Sequence, residues 1–225
     1  MATHPGPVPA PTLRRLPSYL RLLRSWQAEG RTGVSCTHLA DALGQTATQV
    51  RKDLACTGVI GRPKVGYDLP ELAVAIEKFL GWSKTNEAFL VGAGHLGTAL
   101  LSYSGFKAHG LDIVAAFDIA PNPRGEIGGK QIFPMSKLAD LVRRMGIHLG
   151  VLAVPEAAAH DVAQTMIAAG IDAIWNFTPA RLLVAPNIIV ENVDLAQSLA
   201  VLSHKLAEKR AQRWQVAPSP DPTHT

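Results

Sequence analysis

Leu13, Leu16, Leu20 and Leu23 recur at steps of three and four, and Tyr19, Leu22 and Trp26 widen the stripe. That period predicts an amphipathic helix from about 13 to 28, ended by Gly30. Ser35 is placed to cap a second helix through Leu43, which Gly44 breaks. Thr46 and Gln49 form a Thr-x-x-Gln capping box, so a third helix starts at once, runs to about Cys56 and stops at Gly58. Two short β-prone pieces between Val59 and Tyr67 then flank a Gly/Pro turn carrying Arg62 and Lys64, which predicts a small hairpin with a basic tip. Three helices and a basic hairpin describe a winged helix. Pro70 opens a further helix over 71–80, closed by Gly81.

The pattern changes beyond Glu87. Apolar, strand-like runs at 88–91, 113–117, 149–154 and 173–175 alternate with helical patterns over 94–103, 136–145 and 156–169, and 188–190 offers one more strand. Alternation of this kind predicts an α/β, Rossmann-like parallel-sheet domain covered on both faces. Asp194 is placed to cap a last helix to about Trp214, with Leu195, Leu199, Leu202 and Leu206 along one stripe. That stripe must be buried in its own domain or against a partner subunit. The expected organisation is a disordered N-terminus over 1–12, a winged-helix domain over 13–81 and a linker over 82–86. A Rossmann-like domain over 87–193, a terminal helix over 194–214 and a disordered tail over 215–225 complete it.

Charge sharpens the first domain. Residues 1–84 carry 11 Lys/Arg against 6 Asp/Glu, and residues 85–225 carry 11 against 12, so the basic excess lies wholly in the N-terminal third. A patch of this sign fits a partner rich in phosphate, although a solvated basic face reads the same way. Cys36 and Cys56 are the only cysteines and sit in no metal-ligand spacing. Two thiols without a framework fit a reducing cytoplasm, as small buried hydrophobes or as a thiol redox switch. No apolar run reaches the ~18 residues of a membrane span.

The second domain carries the candidate chemistry. Val91 is followed by Gly92-Ala93-Gly94-His95-Leu96-Gly97, a Gly-x-Gly-x-x-Gly run after a strand and at the opening of a helix, with Asp118 at the end of the next strand. Gly92 permits the tight turn, Gly94 the approach of a pyrophosphate, and Gly97 the close packing of helix on strand. The helix N-terminus offers free amides to the phosphates. Asp118 would accept from the adenine ribose and favour NAD over NADP, while Arg124 nearby could accept a 2′-phosphate. The same loop also fits a glycine turn that binds nothing, or a coenzyme A site. His109, His148, His160 and His204 are the candidate proton carriers after the loop, and none forms a catalytic constellation, so the nucleotide reads as a ligand and not as a co-substrate.

Taken in order, Gln49-Val50-Arg51-Lys52-Asp53-Leu54, Gly66-Tyr67 and the glycine run resemble the Rex family of bacterial redox-sensing transcriptional repressors. Arg15–Arg21, Val154-Pro155-Glu156, Asn176-Phe177-Thr178-Pro179 and Val190–Leu195 extend the resemblance from about 13 to 206. It implies a homodimer that binds operator double-stranded DNA when NAD⁺ is abundant and releases it on binding NADH, with the last helix domain-swapped between subunits. It implies DNA contacts from Thr48, Gln49, Arg51 and Lys52 of the recognition helix and from Arg62 and Lys64 of the wing. It further implies a redox-sensitive set of Arg21, Tyr103 and Asp194. The chain departs from the family at Cys56-Thr57, where an aromatic is usual, at Arg62-Pro63-Lys64, where Arg-Gly is commoner, and at Ala120, where a second acid often follows Asp118. Two further functions remain open on the residues alone: a small NAD-dependent oxidoreductase with an N-terminal assembly module, and a coenzyme-A-binding regulator.

Overall fold

The computed structural model describes residues 8–120 and 125–216, with side chains as far as 211. Arg124 and the tail beyond 216 lie outside the described residues. Chain contacts divide the molecule into two units, Met1–Asn86 with Ser104–Asp112, and Glu87–Tyr103 with Ile113–Thr225.

The first unit holds α1 (Ala10–Ala28), β1 (Gly33–Val34), α2 (Cys36–Leu43), α3 (Ala47–Ala55), β2 (Tyr67–Asp68) and α4 (Leu69–Phe79). α1 begins three residues earlier than the leucine stripe suggests, and Thr12, expected in a disordered leader, is buried. Pro11 in the first turn sets helical φ where no N–H partner is needed. Pro17 lies inside the helix and removes the bond its N–H would give the Leu13 carbonyl. Leu16, Tyr19 and Leu23 of α1 are buried with Leu39, Val50, Leu54, Leu72 and Ile76 from the other three helices.

The caps on α2 and α3 form as their spacing requires: Ser35 Oγ accepts from the His38 N–H at 3.1 Å, and Thr46 Oγ1 from the Gln49 N–H at 3.2 Å. The reciprocal half of the capping box, in which Gln49 Oε1 would accept from the Thr46 N–H, does not form: the side chain turns toward Asp53, where Nε2 donates to Oδ1 at 2.9 Å. The expected hairpin is also smaller than its sequence suggests. Val59-Ile60 forms no strand, Arg62 and Gly66 make a single bridge, and Tyr67–Asp68 pairs antiparallel with Gly33–Val34. Ser104–His109, a 3₁₀ segment, clusters with this unit: the Trp82 and His109 rings meet edge to face at 4.6 Å.

The second unit is a seven-stranded sheet of order β5-β6-β4-β3-β7-β8-β9. Its strands are β3 (Asn86–Val91), β4 (Leu111–Asp118), β5 (Glu126–Ile127), β6 (Lys130–Pro134), β7 (Leu149–Leu152), β8 (Ala173–Asn176) and β9 (Ile189–Asn192). The pairs β4–β6, β3–β7, β7–β8 and β8–β9 are parallel, and β5 is an antiparallel edge. The β5–β6 pair is short and rich in polar residues, and the apolar runs of the sequence give no sign of it. The helices are α5 (His95–Ser102), α6 (Leu138–Met145), α7 (Glu156–Ala169) and α8 (Leu195–Val216). From β3 the chain winds outward through β4 and β6, then returns to the other side of β3 for β7, β8 and β9. The sheet therefore has its topological switch between β3 and β7, where ligands bind outside the carboxyl ends of the strands.

Candidate nucleotide and DNA sites

The glycine loop lies at that switch. Gly92 has φ +101°, and a Cβ there would meet the Ala153 carbonyl oxygen at 2.3 Å. A Cβ on Gly97 would fall 1.8 Å from the Gly92 carbonyl oxygen, so helix and loop can approach only without a side chain. Gly94 differs: a Cβ there meets nothing within 4 Å. The space above Gly94 is open, as a pyrophosphate cradle requires. His95 and Leu96 open α5 and are exposed, and Gly97 is buried beneath them. Asp118 ends β4 with its carboxylate against the loop, Oδ2 accepting from the Ala93 N–H at 2.7 Å and Oδ1 from the Ala120 N–H at 2.9 Å. Each oxygen keeps a further lone pair for a ribose hydroxyl. The Ala120 contact is made by backbone, so the missing second acid does not disturb it.

On α3, the exposed residues Thr48, Arg51, Lys52 and Ala55 fall at helical spacing on one face, while Val50, Asp53 and Leu54 are buried on the other. Beside that face lies an open concavity of about 610 Å³, lined by Arg51, Ala55, Arg62, Lys64 and Tyr67 among others. Arg51 of the helix and Arg62 and Lys64 of the wing thus border one concavity. Lys64 takes a left-handed φ of +62° at the wing tip, the conformation glycine adopts most readily.

One feature of α3 escaped the sequence reading. Asp53, 0% exposed, accepts from Thr12 Oγ1 at 2.9 Å, Arg15 Nε and Nη2 at 2.6 and 2.7 Å, Tyr19 Oη at 2.7 Å and Gln49 Nε2 at 2.9 Å. Burial alone would raise this carboxyl. The hydrogen bonds from Arg15, Tyr19, Thr12 and Gln49 outweigh it and hold the group down to about 2. The network fixes α3 to α1. Its signal was available, since Asp53 shares the inward spacing of Val50 and Leu54. Gln49, expected to face DNA, spends its amide on this acid. Cys56 Sγ lies 2.7 Å from the Asp53 carbonyl oxygen, and burial, then the Asp53 charge, pushes its thiol up, away from the reactive thiolate.

The three residues of the implied switch are distributed over both units. Arg21 is exposed on α1, within 3.4 Å of Ser18 Oγ. Tyr103 ends α5 and is 58% exposed. Asp194 Oδ1 accepts from the Ala196 and Gln197 N–H groups at 2.9 and 3.2 Å, capping α8. Among the described residues, no cluster of His, Cys, Asp or Glu is placed to hold a metal, and no helix is long and apolar enough to cross a membrane.

A redox-sensing transcriptional repressor Rex of Treponema denticola is 45% identical over 202 residues, covering 89% of this chain and 96% of that protein. The Rex repressor of Porphyromonas gingivalis is 42% identical over 200 residues, covering 88% and 92%. The chain belongs to the Rex family. Residues 7–55 match the family model described as "Putative DNA-binding protein N-terminus", and residues 83–180 match the one described as "CoA binding domain". Solved structures of RSP, a Rex-family repressor, superpose on it. The complex of RSP with β-NAD⁺ and operator DNA has a TM-score of 0.83 at 33% identity, over 96% of this chain and all of that one. The complex with β-NADH has a TM-score of 0.81 at 34% identity, over 92% of this chain and 98% of that one.

Proposed function

We propose that this Rex-family chain is a transcriptional repressor that senses the NADH/NAD⁺ ratio, holding operator DNA as a homodimer and releasing it on binding NADH. One observation carries the reading: a relative that resembles this chain over nearly its whole length holds β-NAD⁺ and operator DNA together. The glycine loop from Gly92 to Gly97 receives the pyrophosphate and the α5 N-terminus faces it. Asp118 receives the adenine ribose. Thr48, Arg51 and Lys52 enter the major groove, Arg62 and Lys64 meet phosphate beside it, and Gln49 contributes through Asp53. Arg21, Tyr103 and Asp194 form the contact set that differs between the two nucleotide states.

The homodimer is supported by α8, whose Leu195, Leu199, Leu202 and Leu206 are 46–71% exposed at heptad-like spacing, a stripe that a second copy would cover. A dimer also presents two recognition helices to successive major grooves, roughly 34 Å apart. The nucleotide is a regulatory ligand and the protein is not an enzyme, in line with relatives named as repressors. A DNA target and nicotinamide nucleotides as ligands favour a cytoplasmic location. The domain bounds expected from the same reading are 13–81, 87–193 and 194–214, the first widened to take in the start of α1 at Ala10.

The match to a coenzyme A domain makes ligand identity the point to test. Calorimetric titration of the full-length protein with NADH, NADPH and coenzyme A should show NADH binding far more tightly than the other two. Coenzyme A binding more tightly than NADH would overturn the assignment.

A further inference from the structure

At the carboxyl end of β8, one buried amide joins three pieces of chain. Asn176 Nδ2 donates to the Ala180 carbonyl oxygen and to Asn192 Oδ1, both at 2.9 Å. Its Oδ1 accepts from the Thr178 N–H at 3.0 Å and from Thr178 Oγ1 at 2.8 Å. Asn176 and Thr178 are both buried. Both donors and both lone pairs of the amide are therefore used, which fixes its rotamer and the segments bound to it. An aspartate could not replace it, because the Ala180 carbonyl oxygen only accepts. The backbone adds a further tie, from the Val193 N–H to the Asn176 carbonyl at 2.8 Å.

The two ends of this link matter. Residues 177–180 lie just beyond β8, on the opposite side of the switch from β4 and Asp118. With the pyrophosphate at the glycine loop and the adenine ribose at Asp118, the nicotinamide half extends toward this side. At the other end, Asn192 closes β9 two residues before Asp194, whose carboxylate caps α8.

We infer that Asn176 is a positioning residue that couples the loop after β8 to the start of α8. A change in that loop on exchange of nucleotide is passed through Asn192 to the Asp194 cap. The inference rests on the sensor reading and on Asp194 as part of the switch. Asn176 touches no nucleotide in this account and acts through the Thr178–Ala180 turn and Asn192.

The test uses the exposed member of the link in the full-length protein. Asn192→Ala removes the acceptor, whereas Asn192→Asp keeps an oxygen for Asn176 Nδ2. NADH affinity is measured with and without operator DNA in each. In Asn192→Ala, NADH affinity without DNA should stay within about twofold of wild type, while the ratio of affinities with and without DNA should fall about threefold or more toward unity. Asn192→Asp should restore the ratio. Hydrogen exchange at the Ala196 and Gln197 amides should respond to NADH in wild type and Asn192→Asp, and not in Asn192→Ala. An unchanged ratio in Asn192→Ala overturns the inference, as does a loss of NADH affinity with the ratio intact, which would make the link a scaffold of the binding site. Absence of any coupling in wild type is a different result and overturns the sensor reading with it.

Discussion

Replacing Asp53 by Asn tests whether the recognition helix is held by a buried charge. The substitution keeps the shape of the side chain and removes its charge, leaving Arg15 without its counter-ion. A carboxyl held at about 2 in place of its ordinary 3.8 contributes about 2.5 kcal/mol to folding at neutral pH. Since the folded-state value is depressed, the contribution is complete above the ordinary carboxylate range and is lost as pH falls through 3.8 toward 2. About half should remain at pH 3 and little at pH 2. Native-state hydrogen exchange over α1 and α3 reads the stability of this unit directly. Asp53→Asn should lower the exchange free energy there by about 2–3 kcal/mol at pH 7, with the gap from wild type closing below pH 4. Operator affinity should fall with it, because α3 loses its seat on α1. Equal protection at pH 7, or a gap that persists unchanged at pH 2, would refute the argument.

Other substitutions separate the two sites. Arg51→Ala with Lys52→Ala should weaken operator binding and lower its salt slope by about 1 per lost phosphate contact, with NADH affinity unchanged in calorimetry. Gly94→Val should fold normally, since a Cβ there meets nothing, yet fail to bind NADH; Gly97→Ala should instead lower the melting temperature of the nucleotide unit, since its Cβ would collide with the Gly92 carbonyl. Lys64→Gly should relieve a left-handed lysine, raising stability by about 0.5–1 kcal/mol in urea unfolding, while reducing operator affinity through the lost charge.

Much of this was legible in the chain because the signals were local. The Glu156–Ala169 helix, the Ser35 and Thr46 caps and the glycine loop each depend on a few adjacent residues whose conformational preferences agree. What escaped depends on distant pairing. β1 and β2 are two residues each and exist only through a long-range register that sets Gly33 opposite Asp68 and Val34 opposite Tyr67. The inward spacing of Asp53 was visible, but its partners Thr12, Arg15 and Tyr19 lie 34–41 residues away and meet it only in the fold. Gln49 had the spacing of a capping-box partner, but its side chain turns forward, where Nε2 donates to the buried carboxylate four residues on. Asn176 lies in a recognisable motif, yet its work is visible only where the Asn192 and Ala180 oxygens converge.

The central claim is that nicotinamide redox state controls the grip on DNA. The direct measurement is operator affinity by fluorescence anisotropy at one fixed ionic strength, with saturating NAD⁺ and then with saturating NADH. NADH should weaken binding by about 5–150-fold, the range of coupling free energies that switches of this kind supply, and NAD⁺ should leave it intact. Equal affinity with the two nucleotides would contradict the account.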